Sequence, residues 1–249
     1  MGIGKQWTIQ SSVFALIATI LLLLMLNIQL RHYARQGAEE KAKLILQEKQ
    51  ATITYVAKNL WPPLFNLIKQ YNVPDSYFEP SWMSATYINR TIMAYFNDSE
   101  FNTYYYKNAA INARSPENEA NQYENDFLRA VRRNPELQFK SAIIEIDNKP
   151  FFIYMQPNTL KLQGACLRCH SKPENAPADL IARYGSVRSF NKKIDEIPSV
   201  LSLRIPLDKV YASINSLTRI LSVFIATILA FMFFLQWFFV KKTIITPLK

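Results

Sequence analysis

The sequence predicts an α+β protein in which an antiparallel sheet follows a long N-terminal helix and is flanked by two transmembrane helices. Three observations carry that expectation. Residues 6–30 and 220–240 contain no charged side chain and are strongly apolar. All 19 acidic and 25 of the 29 basic residues fall between Arg31 and Arg219, where the net charge is +6. Inside that charged segment, helix-spaced apolar residues come first and alternating, β-rich runs follow.

Each apolar stretch meets the roughly 20 residues a helix needs to cross a bilayer. A cleaved signal peptide is the rival reading of the first. Its apolar region exceeds the usual ~7–15 residues, and no small-x-small cleavage site follows Leu30. The expected organisation is therefore a cytoplasmic N-terminus (1–8), a first span (9–30), an extramembrane domain (31–219), a second span (220–240) and a cytoplasmic tail (241–249). Lys5, Lys241, Lys242 and Lys249 flank the outer ends, which favours cytoplasmic termini. The basic excess forms no clustered stripe or nucleic-acid motif, so a nucleic-acid partner is not expected.

Within 31–219 the apolar spacing of Ala42, Leu46, Ile53, Val56, Leu60, Leu64 and Leu67 predicts one long helix bending at Trp61-Pro62-Pro63. A helix pair is expected next, over 85–96 and 117–133, the second with Ala120, Tyr123, Phe127 and Val131 on one face. Tyr104-Tyr105-Tyr106 between them reads as a short strand. Residues 139–146 and 151–155 around Asp147-Asn148-Lys149 predict a hairpin, 178–184 a short helix ended by Gly185, and 200–205 a last strand. Pro206-Leu207-Asp208 then opens the helix that enters the second span.

The chemistry concentrates in Cys166-Leu167-Arg168-Cys169-His170. Both cysteines of the chain and one of its two histidines share five residues, in the C-x-x-C-H arrangement of a c-type haem attachment site. Two thiols three residues apart can each add across a haem vinyl group to form a thioether, and the adjacent imidazole then serves as proximal iron ligand. A bare redox pair and a structural disulfide stand as alternatives. A thioredoxin-like dithiol lacks its βαβ context, and a closed zinc site lacks ligands, because His32 at the membrane edge is the only other Cys or His. One covalent haem c places the domain in the periplasm of a two-span inner-membrane protein. Met93, Met83 and, less readily, His32 are the candidates for the sixth iron position, and an open position would admit a diatomic gas. Arg114 and Arg168 are candidate propionate partners.

The order of long helix, antiparallel sheet and final strand feeding a membrane helix is that of PAS- or Cache-type sensors. Arg114-Ser115-Pro116-Glu117-Asn118-Glu119-Ala120, with Glu124 after it, resembles the Arg-Asn-Pro-x-Asn-x-Ala motif of periplasmic c-haem PAS-like sensor domains. Cys166 to Pro173 and Tyr184-Gly185 match that family's later motifs, and Ser115 stands where the pattern prefers Asn. The resemblance covers about residues 35–215. It implies a sensor ahead of a HAMP segment, which Thr243-Ile244-Ile245-Thr246-Pro247-Leu248-Lys249 resembles, and a cytoplasmic output domain or signalling partner. A parallel homodimer through the N-terminal helix is expected. The leading expectation is a membrane-anchored haem sensor that transmits redox or ligand state; the alternative is a membrane-tethered cytochrome c. An enzyme is not expected, since no distal His–Arg pair is evident for peroxide chemistry.

Overall fold

The structure is a computed structural model, and it describes residues 3–98 and 104–242. Two compact units emerge: Ala38–Pro206, and a second made of Met1–Gly37 with Leu207–Lys249.

Helix α1 spans Ile3–Tyr55, followed by a π-turn over Val56–Leu60 and α2 over Trp61–Gln70. The expected bend is realised as this π-turn. Pro62 and Pro63 lack amide hydrogens and would clash with the carbonyls one turn earlier, so the preceding turn widens and the Trp61 amide bonds the Val56 carbonyl five residues back. The extra residue rotates the buried face. Ala38, Ala42, Leu46, Ile53 and Val56 are buried before it, but Leu67, expected on the same stripe, is 45% exposed. Trp61, Leu64, Phe65 and Ile68 face inward instead.

The remaining elements are α3 (Pro80–Met83), α4 (Ala85–Asn97), β1 (Tyr105–Ala109), α5 (Gln122–Arg133), β2 (Lys140–Ile146), β3 (Lys149–Pro157), α6 (Gly164–His170), α7 (Ala178–Tyr184), β4 (Val200–Pro206) and α8 (Asp208–Val240). The sheet order is β1-β4-β3-β2, antiparallel throughout. The hairpin turn is two residues, Asp147 and Asn148, both at positive φ (51° and 59°), which matches the twist of the strands it joins. Lys149, expected in the turn, belongs to β3.

Both faces of the central strands are covered. Ile153, Met155, Val200 and Ala109 pack with Phe127, Leu128 and Val131 of α5. On the opposite face, by strand alternation, lie Phe152, Tyr154, Leu201, Leu203 and Ile205, all buried. Gln156 bonds the Leu46 carbonyl, and Thr159 and Asn158 bond Gln50, tying α1 to the β3 end.

Two expectations are corrected here. Helix α5 starts at Gln122 rather than at 117, because Asn121 and Glu124 form a reciprocal capping box and Pro116–Asn118 is a separate 3₁₀ turn. The helices expected as a pair pack on different elements: α4 beside β1, and α5 on β3 and β4.

The second unit contains two helices long and apolar enough to cross a membrane. Asn27 donates to Thr218 at 3.0 Å, and Arg31 bonds Asn27 and Asn215 while lying over the Tyr211 ring. Polar groups at the end of an apolar helix are satisfied by each other in this way. Residues 243–249, which resemble a HAMP start, lie outside the described residues.

Glu124 is fully buried and pairs with Lys107 at 2.6 Å, and its other role is to receive the Asn121 amide. Glu124→Ala strands a nearly buried ammonium, and urea unfolding followed by tryptophan fluorescence should show a loss of about 3–5 kcal/mol. Combining Glu124→Leu with Lys107→Met removes both charges together and should recover most of it.

Candidate functional site

Helix α6 has seven residues and no side-chain cap, so its position is imposed from outside. Leu162 before it is buried and exchanges backbone bonds with Asp195 and Glu196. After it, the Asn191 amide bonds the Ser171 carbonyl at 2.7 Å and the Lys192 amide bonds the His170 carbonyl at 3.0 Å. Ser189 and Asn191 adopt left-handed φ of 65° and 59°, which folds the 188–192 loop back over the helix end.

Cys166, Cys169 and His170 all face one cavity of about 230 Å³. Ile53, Trp61, Phe65, Phe78, Leu160 and Pro177 supply its apolar wall. A second cavity of about 230 Å³ shares Trp61, Phe65, Leu160, Ala165 and Cys166 with it. Trp61 Nε1 donates to the Trp82 carbonyl, Phe65 meets Trp82 edge-on, and Phe78 meets Tyr184 edge-on. Asp179 of α7 bonds the Ser76 carbonyl through its amide and receives the Phe78 amide on its carboxylate.

The imidazole is oriented. His170 Nδ1 lies 2.8 Å from the Ser189 carbonyl and 3.1 Å from the Ser189 hydroxyl. A proton on Nδ1 donated to that carbonyl leaves Nε2 as the lone-pair nitrogen, the tautomer a metal requires. Burial, and then the Arg114 charge, lower the His170 pKa to about 4, so the ring is neutral near pH 7. Burial also raises the Cys169 thiol above its ordinary value, against the opposing pull of Arg114 and Arg168.

Arg114 Nη2 bonds the Cys169 carbonyl at 2.5 Å and reaches the Ser189 carbonyl at 3.5 Å. Arg168 bonds the Asp75 carbonyl at 3.0 Å. Both arginines line the cavity, as does Met83, whose sulfur accepts the Glu79 amide at 3.3 Å. Met93 is placed elsewhere. It is buried in α4 one turn after Asn89, whose amide bonds the Lys49 carbonyl, and it does not line the cavity. His32 is an exposed residue of the other unit.

The 114–124 segment is the cavity's second support. Asn118 lines it, and Glu119 receives the Asn112 and Ala113 amides at 2.9 Å and the Arg188 guanidinium at 2.6 Å. Ser115 receives Arg90 at 2.7 Å, so a hydroxyl acts at the position where Asn was expected. A family model described as Tll0287-like matches residues 31–206.

The chain belongs to the Tll0287-like family. Among solved structures it is similar to one titled as the cyanobacterial heme-protein Tll0287, at 17% identity and a TM-score of 0.44, over 68% of this chain and 95% of that one. No curated protein matches.

Within this Tll0287-like domain, Cys166, Cys169, His170, Arg114, Arg168 and Met83 of the sequence's candidates line the cavity, and Met93 does not. Sequence reading missed Ser189, Arg188 and the Trp61–Phe65 wall. A backbone carbonyl leaves no signature in the sequence, and the wall depends on the rotation introduced by the π-turn.

A neutral, partly buried His170 makes stability depend on pH. The unfolded chain binds a proton near 6.5 that the native state refuses until about 4, so the contribution is complete above pH 6.5 and is lost as pH falls toward 4. The free energy of unfolding of the cofactor-free protein should fall by up to about 3 kcal/mol as pH drops through that window, and His170→Gln should flatten the slope.

Proposed function

We propose that this chain is a membrane-anchored haem c sensor whose Tll0287-like domain lies in the periplasm and whose two apolar helices span the inner membrane. The observation that carries the reading is the convergence of both thiols and an imidazole with a fixed tautomer on one cavity with an apolar wall. The donor set fits haem c. Cys166 and Cys169 would hold it through thioethers, His170 Nε2 would ligate the iron, and the apolar wall would exclude water from its face. The bound haem supplies a reversible one-electron couple and an axial position.

The role is binding and transmission rather than catalysis, within a homodimer that acts on a cytoplasmic signalling partner. Of the two methionines considered, Met83 is the one on the cavity wall, and the Glu79 amide steadies its sulfur, so Met83 is the proposed sixth ligand. Arg168 and Arg114 present their charges to the same cavity.

Protein matured in a host that attaches haem should retain it after denaturation, and Cys166→Ser with Cys169→Ser should release it. Absence of covalent haem in the wild type would overturn the reading. Reduced wild type should show a six-coordinate spectrum that CO changes little, whereas Met83→Leu should bind CO readily and Met93→Leu should behave as wild type. Equal CO binding by wild type and Met83→Leu would remove Met83 from the iron and leave the position to an external gas.

A further inference from the structure

We propose that Arg114 is a positioning residue that raises the electron affinity of the His170 site through the Ser189 carbonyl; the proposal rests on the haem reading above. Its Nη2 is committed to main-chain oxygens, 2.5 Å from Cys169 and 3.5 Å from Ser189. The same Ser189 carbonyl sits 2.8 Å from His170 Nδ1. The guanidinium carbon lies 4.9 Å from the centre of the Phe190 ring, which is itself buried and fixes the plane of the fork. Arg114 Nε is buried without a partner.

The other cations of the region are held differently: Arg168, on the same cavity, bonds the Asp75 carbonyl at 3.0 Å. Lys192 lies 3.5 Å from Glu196, which also holds Arg132 at 2.7 Å. Arg188, which bonds the Ala113 carbonyl next to Arg114, is neutralised by Glu119 at 2.6 Å. Arg114 has no carboxylate partner among the described residues, and it is the cation that shares an acceptor with His170.

Two effects follow and have the same sign. A cation on the Ser189 carbonyl withdraws electron density from the bond to Nδ1, which makes the imidazole a weaker donor at Nε2. A guanidinium charge fixed beside the site also favours the state of the site with one positive charge fewer, which is the reduced one.

The test is a redox titration of full-length, haem-loaded protein in detergent, comparing wild type, Arg114→Gln and Arg114→Lys. Arg114→Gln should shift the reduction equilibrium about tenfold toward the oxidised form, about 59 mV for one electron. Arg114→Lys keeps the charge and gives up the fork, so it should stay within about threefold of wild type. The His170 Nδ1 proton, followed by NMR, should move in Arg114→Gln and keep its place in Arg114→Lys. An unchanged potential in Arg114→Gln, or a tenfold loss in Arg114→Lys as well, overturns the proposal. Failure of both variants to load haem while wild type loads would make Arg114 an assembly residue and overturn it too. Failure of wild type itself to load would instead overturn the haem reading.

Discussion

A helix of seven residues does not persist alone in water, yet α6 carries both thiols and the imidazole of the site. Every useful property of Cys166, Cys169 and His170 therefore depends on what holds α6 in place. The clamp acts on the backbone of α6 and its flanks: the Ser171, His170 and Leu162 carbonyls each receive an amide from the 191–195 stretch, and the Cys169 carbonyl receives the Arg114 guanidinium. Backbone anchors leave the side chains of α6 free to face the cavity.

The 188–192 loop that supplies part of this clamp is itself held by charge. Arg188 joins Glu119 and the Ala113 carbonyl, and Glu119 caps the Asn112 and Ala113 amides. Behind them, Lys107 connects β1 to the Glu119 carbonyl and to buried Glu124, whose carboxylate also caps α5. A continuous chain of polar contacts thus runs from the sheet through the 114–124 segment to the imidazole. At its inner end, where Glu124 is fully buried and Lys107 nearly so, removing one member leaves its neighbour without a partner.

The cavity has two kinds of wall, with different origins. On one side the 114–118 and 189–192 segments bring polar groups from elements far apart in sequence. On the other, Trp61 and Phe65 arrive because the two prolines force a π-turn that redirects α2. Leu67, expected on the apolar stripe of α1, is turned out to solvent. The same local rule, that proline cannot follow an unmodified helical turn, thus shapes both the fold and the site.

Much of this was legible in the chain itself. The hairpin, the strand at 200–206, the helix closed by Gly185 and the cluster of two thiols with an imidazole are local patterns, set by periodicity, turn chemistry and spacing within a few residues. Tertiary structure alone decided the rest. The start of α5 lies at Gln122 rather than 117, because Ala110 pairs with the 118–120 backbone and holds that stretch out of the helix. Which of Met83 and Met93 lines the cavity depended on the placement of their helices, and two methionines ten residues apart look alike until then. The imidazole's tautomer depended on a carbonyl nineteen residues away, held in a left-handed turn at a serine. The sequence determines which groups are available because their chemistry is local. Only the fold determines which of them meet, because that is settled by long-range packing.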